Sequence, residues 1–260
     1  MFWRFCLQYL LPVAAFLVLP GWAAASTPEA GRPGRQLTCY NDRLVPYFMR
    51  EGGQFVGINA DLMREAARRV GITLVFRDMP WKRLEAEIAK GAHSQVDCAF
   101  AFSRTPAREK YMEFGREVLQ RTEYVLFVHE STRYGSLDDL RGRRIGVRRG
   151  FRLPDKLEEG ARRGQFVLEE IGDDAANFRK LAAGRLDAVM INLDVGRYVS
   201  RELGMTRLRV LLPPLGYLDN HLVFTKGKGH TSLLGAFDKA LAAMRQDGSV
   251  ERIRARYMDR

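Results

Sequence analysis

Several signatures of enzyme chemistry are missing from these 260 residues: there is no HExxH pair, no nucleotide-binding glycine loop and no Cys/His cluster with metal-ligand spacing. Histidine is scarce, limited to His93, His129, His221 and His230. Cysteine is scarcer, with Cys6, Cys39 and Cys98 alone. These absences give no reason to expect a metal or a cofactor, and no residue stands out as catalytic. After residue 19 no apolar run is long enough to span a bilayer. Basic residues outnumber acidic ones, 42 to 31, for a formal charge of +11, yet no basic run exists. The arginines come in scattered pairs, such as Arg68-Arg69, Arg143-Arg144 and Arg162-Arg163, and no nucleic-acid motif accompanies them. Nucleic acid is therefore not the expected partner, and small anionic solutes stay open.

What is present begins with an address. Arg4, an apolar stretch over residues 7–19 interrupted by Pro12, and Ala23-Ala24-Ala25 before Ser26 have the three parts of a secretory signal peptide, residues 1–25. Export to the periplasm is expected. Residues 26–35, rich in Pro and Gly, read as a flexible leader. Without the first 25 residues the charge falls to about +10 by formal counting. Cys39 and Cys98 remain, both in predicted strands. Export favours a bridge between them, and two buried thiols are the alternative.

From residue 36 the pattern alternates strand and helix. Strands are predicted at 36–40, 72–76 and 97–102, with helices between them closed by Gly71 and Gly91. A further strand is predicted at 124–129, after which a second, similar alternation runs to strands at 208–212 and 217–225. A C-terminal helix over 233–244 is stopped by Gly248. In parallel sheets of this kind, sites lie at the carboxyl ends of strands. Phe102 is a further candidate ligand-binding residue, and that rule gathers Asn41, Trp81 and residues 103–108 near one crevice. Within it, Thr105-Pro106 reads as a helix start, so Arg108 projects from the first turn beside Ser103. A guanidinium fork beside a hydroxyl and free backbone N–H groups suits a carboxylate.

The order of pieces then resembles a known family. Gly57-Ile58-Asn59-Ala60-Asp61-Leu62, Pro80-Trp81, Thr105-Pro106-Ala107-Arg108, Met112-Glu113-Phe114, Ser136-Leu137-Asp138-Asp139-Leu140 and Gly184-Arg185-Leu186-Asp187-Ala188 are similar, in sequence and spacing, to extracellular solute-binding proteins of the polar-amino-acid type (family 3) that serve ABC importers. The resemblance implies an α/β fold of the type II periplasmic-binding-protein kind, two lobes joined by a two-strand hinge with a ligand cleft between them. Lobe 1 is expected at 36–127 plus 218–260 and lobe 2 at 128–217. It also implies that Arg108 and Ser103 hold a ligand carboxylate, that Trp81 packs on the ligand, and that the partners are the importer's membrane subunits, with the chain itself a monomer.

Departures from that pattern bear on the solute. Leu44 stands where an aromatic is usual, and Asn192 where an Asp usually meets the ligand ammonium, with Asp194 as the substitute if the register shifts by two. The second-lobe loop reads Arg148-Arg149-Gly150-Phe151-Arg152, which favours an anion. The expected solute thus carries a carboxylate for Arg108, with a second acidic group for Arg148, Arg149 or Arg152, while Phe151 and Asn192 complete the site. Two alternatives accompany this reading. One is a cyclohexadienyl-dehydratase-like enzyme on the same scaffold, with His221 as its candidate acid or base; the other is a ligand-sensing module for a membrane receptor.

Overall fold

The computed structural model describes residues 35–149 and 153–258. The expected signal peptide, the leader apart from Arg35, and Phe151 and Arg152 lie outside the described residues. Strand β1 (Gln36–Asn41) leads through a short loop to a hairpin, β2 (Met49–Glu51) and β3 (Gln54–Val56). Helix α1 (Ile58–Val70) buries Ile58, Leu62, Met63, Ala66 and Ala67 on one face. No side chain caps its start. Instead the N–H groups of Ile58 and Asn59 donate to the carbonyls of Pro46 (3.0 Å) and Tyr47 (2.9 Å). This close approach requires Gly57, whose φ is 120° and where a Cβ would lie 2.5 Å from the Tyr47 oxygen. The loop carrying Tyr47 is thereby clamped onto the helix. At the other end Ile72 N–H reaches Ala67 O at 2.9 Å and Gly71 is left-handed, the Schellman ending that Gly71 predicts.

Strand β4 (Thr73–Asp78), helix α2 (Trp81–Ile88) and strand β5 (Cys98–Ser103) complete a parallel wing ordered β4-β1-β5. The 18-residue β6 (Met112–His129) leaves it. A second wing repeats the plan with β7 (Arg144–Arg148), α3 (Asp155–Arg162), β8 (Val167–Ile171), α4 (Asp174–Ala182), β9 (Ala188–Asn192) and α5 (Leu193–Glu202). The repetition reaches single residues. Asp97, just before β5, accepts the Thr38 N–H at 2.8 Å, and Asp187, just before β9, accepts the Arg144 N–H at 2.9 Å. Each carboxylate thus satisfies an amide of the neighbouring parallel strand just before the two strands pair. Strand β10 (Leu208–Thr225) returns, and α6 (Thr231–Gln246) and α7 (Ser249–Met258) pack against α1.

All but β2 and β3 join one eight-stranded sheet, ordered β4-β1-β5-β10-β6-β9-β7-β8. Because β10 is antiparallel to both β5 and β6, and β6 is antiparallel to β9, the carboxyl ends of β5 and β9 point toward each other. Ser103 pairs with Asn220, which pairs with Gln120; Asn192 pairs with Tyr124. The two wing ends are therefore offset by four residues of β6, roughly 13 Å at strand rise.

Two strands are longer than the sequence predicts. Residues 112–123 of β6 are rich in charge and show no clean alternation, but pairing with β10 from Thr225↔Met112 to Leu208↔His129 holds them extended. Pro213-Pro214 does not end β10, because a register jump between Leu211 and Gly216 carries both prolines in a bulge. Helix α7 is also unforeseen: Gly248 ends α6, and the chain restarts a helix at Ser249. Cys39 and Cys98, direct partners in the β1–β5 register, are joined as a disulfide with a Cα separation of 4.5 Å.

Candidate functional site

On the first wing the Arg108 side chain lies back over the end of β5. Thr105 Oγ1 accepts the Arg108 N–H at 3.3 Å, but Thr105 is not the cap that the sequence suggests: the helix is a short 3-10 turn, Arg108–Lys110, that starts from Ala107 with no side-chain cap. Nη1 of Arg108 donates to Ser103 O (3.1 Å) and Oγ (2.8 Å). Trp81 stacks on Phe102 with ring centroids 4.1 Å apart, and the guanidinium sits 5.3 Å from the Phe102 centroid and 5.7 Å from that of Trp81. Asn41 acts through its neighbour: its Oδ1 accepts the Asp42 N–H, and Asp42 in turn accepts the Trp81 N–H at the start of α2. Asn41, Trp81, Phe102, Ser103 and Arg108 thus lie together at the ends of β1 and β5.

One member of the cluster is not foreseen. Glu85, on α2, accepts from Arg108 Nε at 2.8 Å and Nη2 at 3.2 Å, and its Oε1 also accepts the Tyr111 hydroxyl at 2.9 Å. The hydrogen bonds from Arg108 hold the Glu85 carboxyl below its ordinary range, against the opposing pull of burial. Burial, then the bond to Glu85, raises Tyr111. The signal for Glu85 in the sequence is spacing: it is four residues after Trp81, hence on the same helical face.

The second wing presents Arg148 and Asn192 at the ends of β7 and β9. Arg148 Nη1 meets Asp174 Oδ2 at 2.7 Å, and burial raises the Asp174 carboxyl despite that cation. Arg149 donates its N–H to Ile171 O and Nη2 to Glu170 O at 3.4 Å. Asn192 is the N-cap of α5. Its Oδ1 accepts from the N–H groups of Asp194 (2.8 Å) and Val195 (3.2 Å) and from the Tyr47 hydroxyl (3.3 Å). Asp194 accepts from Tyr47 Oη at 2.8 Å and from Arg254 Nη2 at 2.7 Å. Burial and the neighbouring Asp194 raise the Tyr47 hydroxyl well above its usual range. Asp194 is therefore the ion-pair partner of an arginine from this chain. Replacing Asn192 with alanine is expected to cost about 1 kcal/mol of stability through the lost cap; a serine there, which caps as well, is expected to restore the melting temperature.

Between the wings, Asn59 Nδ2 donates to Gln120 Oε1 at 2.7 Å, Gln120 Nε2 to Thr122 Oγ1 at 3.3 Å, and Asn220 Nδ2 to Thr122 at 3.0 Å. This buried chain of amides ties α1 to both crossing strands at their midpoint. A cavity of about 30 Å³ beside it is lined by Arg121, Glu123, Asn192, Leu193, Asp194 and Arg254. A larger one, about 410 Å³, lies away from the strand ends, between α3 and the β10 bulge at Leu212, Pro213 and Pro214. His221 Nδ1 faces the Glu117 carbonyl at 3.1 Å, with the ring edge-on to Phe114. Among the described residues no group of three or more His, Cys, Asp or Glu is placed to hold a metal.

Known proteins share this architecture. The lysine/arginine/ornithine-binding periplasmic protein of Escherichia coli K12 is 25% identical over 266 residues, covering 95% of this chain and 96% of that protein. The probable amino-acid ABC transporter extracellular-binding protein YtmK of Bacillus subtilis superposes with a TM-score of 0.74 at 19% identity, over 86% of this chain and 98% of that one. A histidine kinase sensor domain with similarity to periplasmic binding proteins gives 0.69 at 26% identity, over 87% and 98%. The fold is the type II periplasmic-binding-protein fold, two α/β lobes with a two-strand hinge and a cleft. Residues 38–260 match the profile of bacterial extracellular solute-binding proteins, family 3, and the chain belongs to that family.

Proposed function

We propose that the chain captures a small carboxylate-bearing solute, an amino acid or organic acid, in the periplasm and delivers it to the membrane subunits of an ABC importer. It acts as a monomer and a binder, not as an enzyme. Lobe 1, residues 36–127 with 218–260, holds the solute first; lobe 2, residues 128–217, closes over it through β6 and β10. The observation that carries this reading is the pair of strand ends facing each other across four residues of β6, with Arg108 and Ser103 on one side and Arg148 and Asn192 on the other. The separation, roughly 13 Å along the strand, is the size of a small solute. Closure by a ligand requires extra contacts to the second lobe, and Arg148, Phe151, Arg152 and Asn192 are its candidates.

Calorimetric titration of the purified protein with amino acids and organic acids tests the reading. Saturable binding of at least one carboxylate solute is expected; failure of the whole panel, or conversion of a prephenate-like acid by purified protein, overturns it. The similarity to a kinase sensor domain supports a second use of the same site, presentation of the closed form to a membrane receptor. Pull-down of importer subunits or of a receptor by the loaded protein separates the two.

A further inference from the structure

A guanidinium offers five N–H donors, and Arg108 commits four of them inside the protein: two to Ser103 and two to Glu85. One N–H, on Nη2, is left. Glu85 therefore occupies the fork that a solute carboxylate would otherwise take in full. The carboxylate is ionised, since Arg108 lowers its pKa, so the pair carries no net charge toward the cleft. The side chains are partly accessible, 16% for Arg108 and 29% for Glu85. What they present together is an edge with two poles, the remaining Nη2 donor beside the remaining lone pair of Glu85 Oε2. Oε1 already accepts from both Arg108 and Tyr111.

The opposite wing gives this edge its meaning. Asn192 brings no charge, and its oxygen is committed to the start of α5 and to Tyr47. Asp194 is held by Arg254. Arg148 faces Asp174. At the ends of β7 and β9, Arg148 and Asp194 thus each have an opposite charge from this chain beside them. A solute with only negative groups meets Glu85 at the anchor and a neutralised Arg148 across from it, and like charges at such range repel strongly in a partly desolvated site.

We propose that Glu85 is a specificity-determining residue of the solute site: it receives a cationic group of the solute next to the carboxylate held at Arg108, and it rejects solutes that are purely anionic. This rests on the reading of Arg108 as carboxylate anchor. The alternative role, a placeholder that swings away whenever a carboxylate enters, predicts the opposite effect on solutes with an amine.

The test is titration calorimetry on wild type, Glu85→Gln and Tyr111→Phe with matched pairs: L-alanine and propionate, L-glutamate and glutarate, L-phenylalanine and 3-phenylpropionate. Wild type is expected to bind at least one amine-bearing member over its deaminated partner. Glu85→Gln keeps the shape and removes the charge; it is expected to weaken the amine-bearing solute at least tenfold and to strengthen its deaminated partner, collapsing the ratio. Tyr111→Phe, which frees one lone pair of Glu85, is expected to keep the preference and gives a folded comparison should Glu85→Gln unfold. Tighter binding of both partners by Glu85→Gln, or an unchanged ratio with Arg108-dependent binding, overturns the role of Glu85 alone. Wild-type binding of no member, or binding indifferent to Arg108, overturns the underlying function as well.

Discussion

Arg108→Ala is expected to weaken capture of the solute by about 100-fold or more, which corresponds to about 2.7 kcal/mol. The size follows from the charge-assisted hydrogen bond of the remaining Nη2 donor, which alanine removes. A carboxylate taken out of water must recover its hydration from charged donors, and hydrogen bonds to charged groups contribute about 1.5–3 kcal/mol each. Arg108 does more than donate. Its Nη1 fixes Ser103 through both oxygens, so alanine also frees the Ser103 hydroxyl. The same change strands Glu85, which keeps only the Tyr111 hydroxyl. That residual charge, on a side chain 29% exposed, costs about 1–2 kcal/mol of stability. The variant is thus folded but less stable, and calorimetry at 25 °C alongside a thermal melt separates the two effects. The double variant Arg108→Ala with Glu85→Gln leaves no stranded charge; it is expected to melt higher than the single variant and still not to bind. Arg108→Lys keeps the charge but not the planar fork, and is expected to fall between. Affinity retained in Arg108→Ala means that another group anchors the solute.

Where the cause of a feature is local, the sequence of this chain announces it. Gly71 predicts the end of α1 because a left-handed residue is needed there, and the structure builds that ending with two carbonyls of the last turn. The cluster around Arg108 is legible because a strand end, a Thr-Pro start and a conspicuous arginine all lie within eleven residues of each other. Glu85 is not legible, because an acid on a helix face reads as a solvated charge until the helix is docked against β5. Likewise the role of Asn192 as a cap for α5 needs the helix start, whereas the sequence alone compares it with an ammonium-binding Asp. The contact of Tyr47 with Asn192 and Asp194 spans 145 and 147 residues of sequence, and nothing short-range announces it. The sequence predicts strands that are too short for a related reason: β6 and β10 hold each other extended, so neither shows the alternation of a strand with one buried face.

Loss of the Cys39–Cys98 bridge is expected to lower stability by about 4 kcal/mol, the chain-entropy figure for a separation of 59 residues. For a domain of this length that corresponds to a fall of roughly 10 °C in the melting temperature. The bridge acts at a sensitive row. The register between β1 and β5 holds only Cys39↔Cys98 and Tyr40↔Ala99, so two rows of pairing and one covalent bond join these strands. Beyond that short ladder lie Asn41 and Asp42 on one side and Ser103 on the other, the residues that start α2 and position Arg108. Parallel neighbours in mid-sheet are also kept in place by packing, however, and Phe48 and Phe100, 5.3 Å apart, lie fully buried beside the bridge in the same core. The entropic constraint on the unfolded chain therefore dominates over any change in the folded platform. Reduction, or the Cys39→Ser, Cys98→Ser double variant, is expected to depress the melt by the full amount while leaving solute affinity at 25 °C within about threefold. A melt unchanged by reductant means the thiols are not joined, and a loss of affinity larger than the loss of stability means that the bridge shapes the site itself.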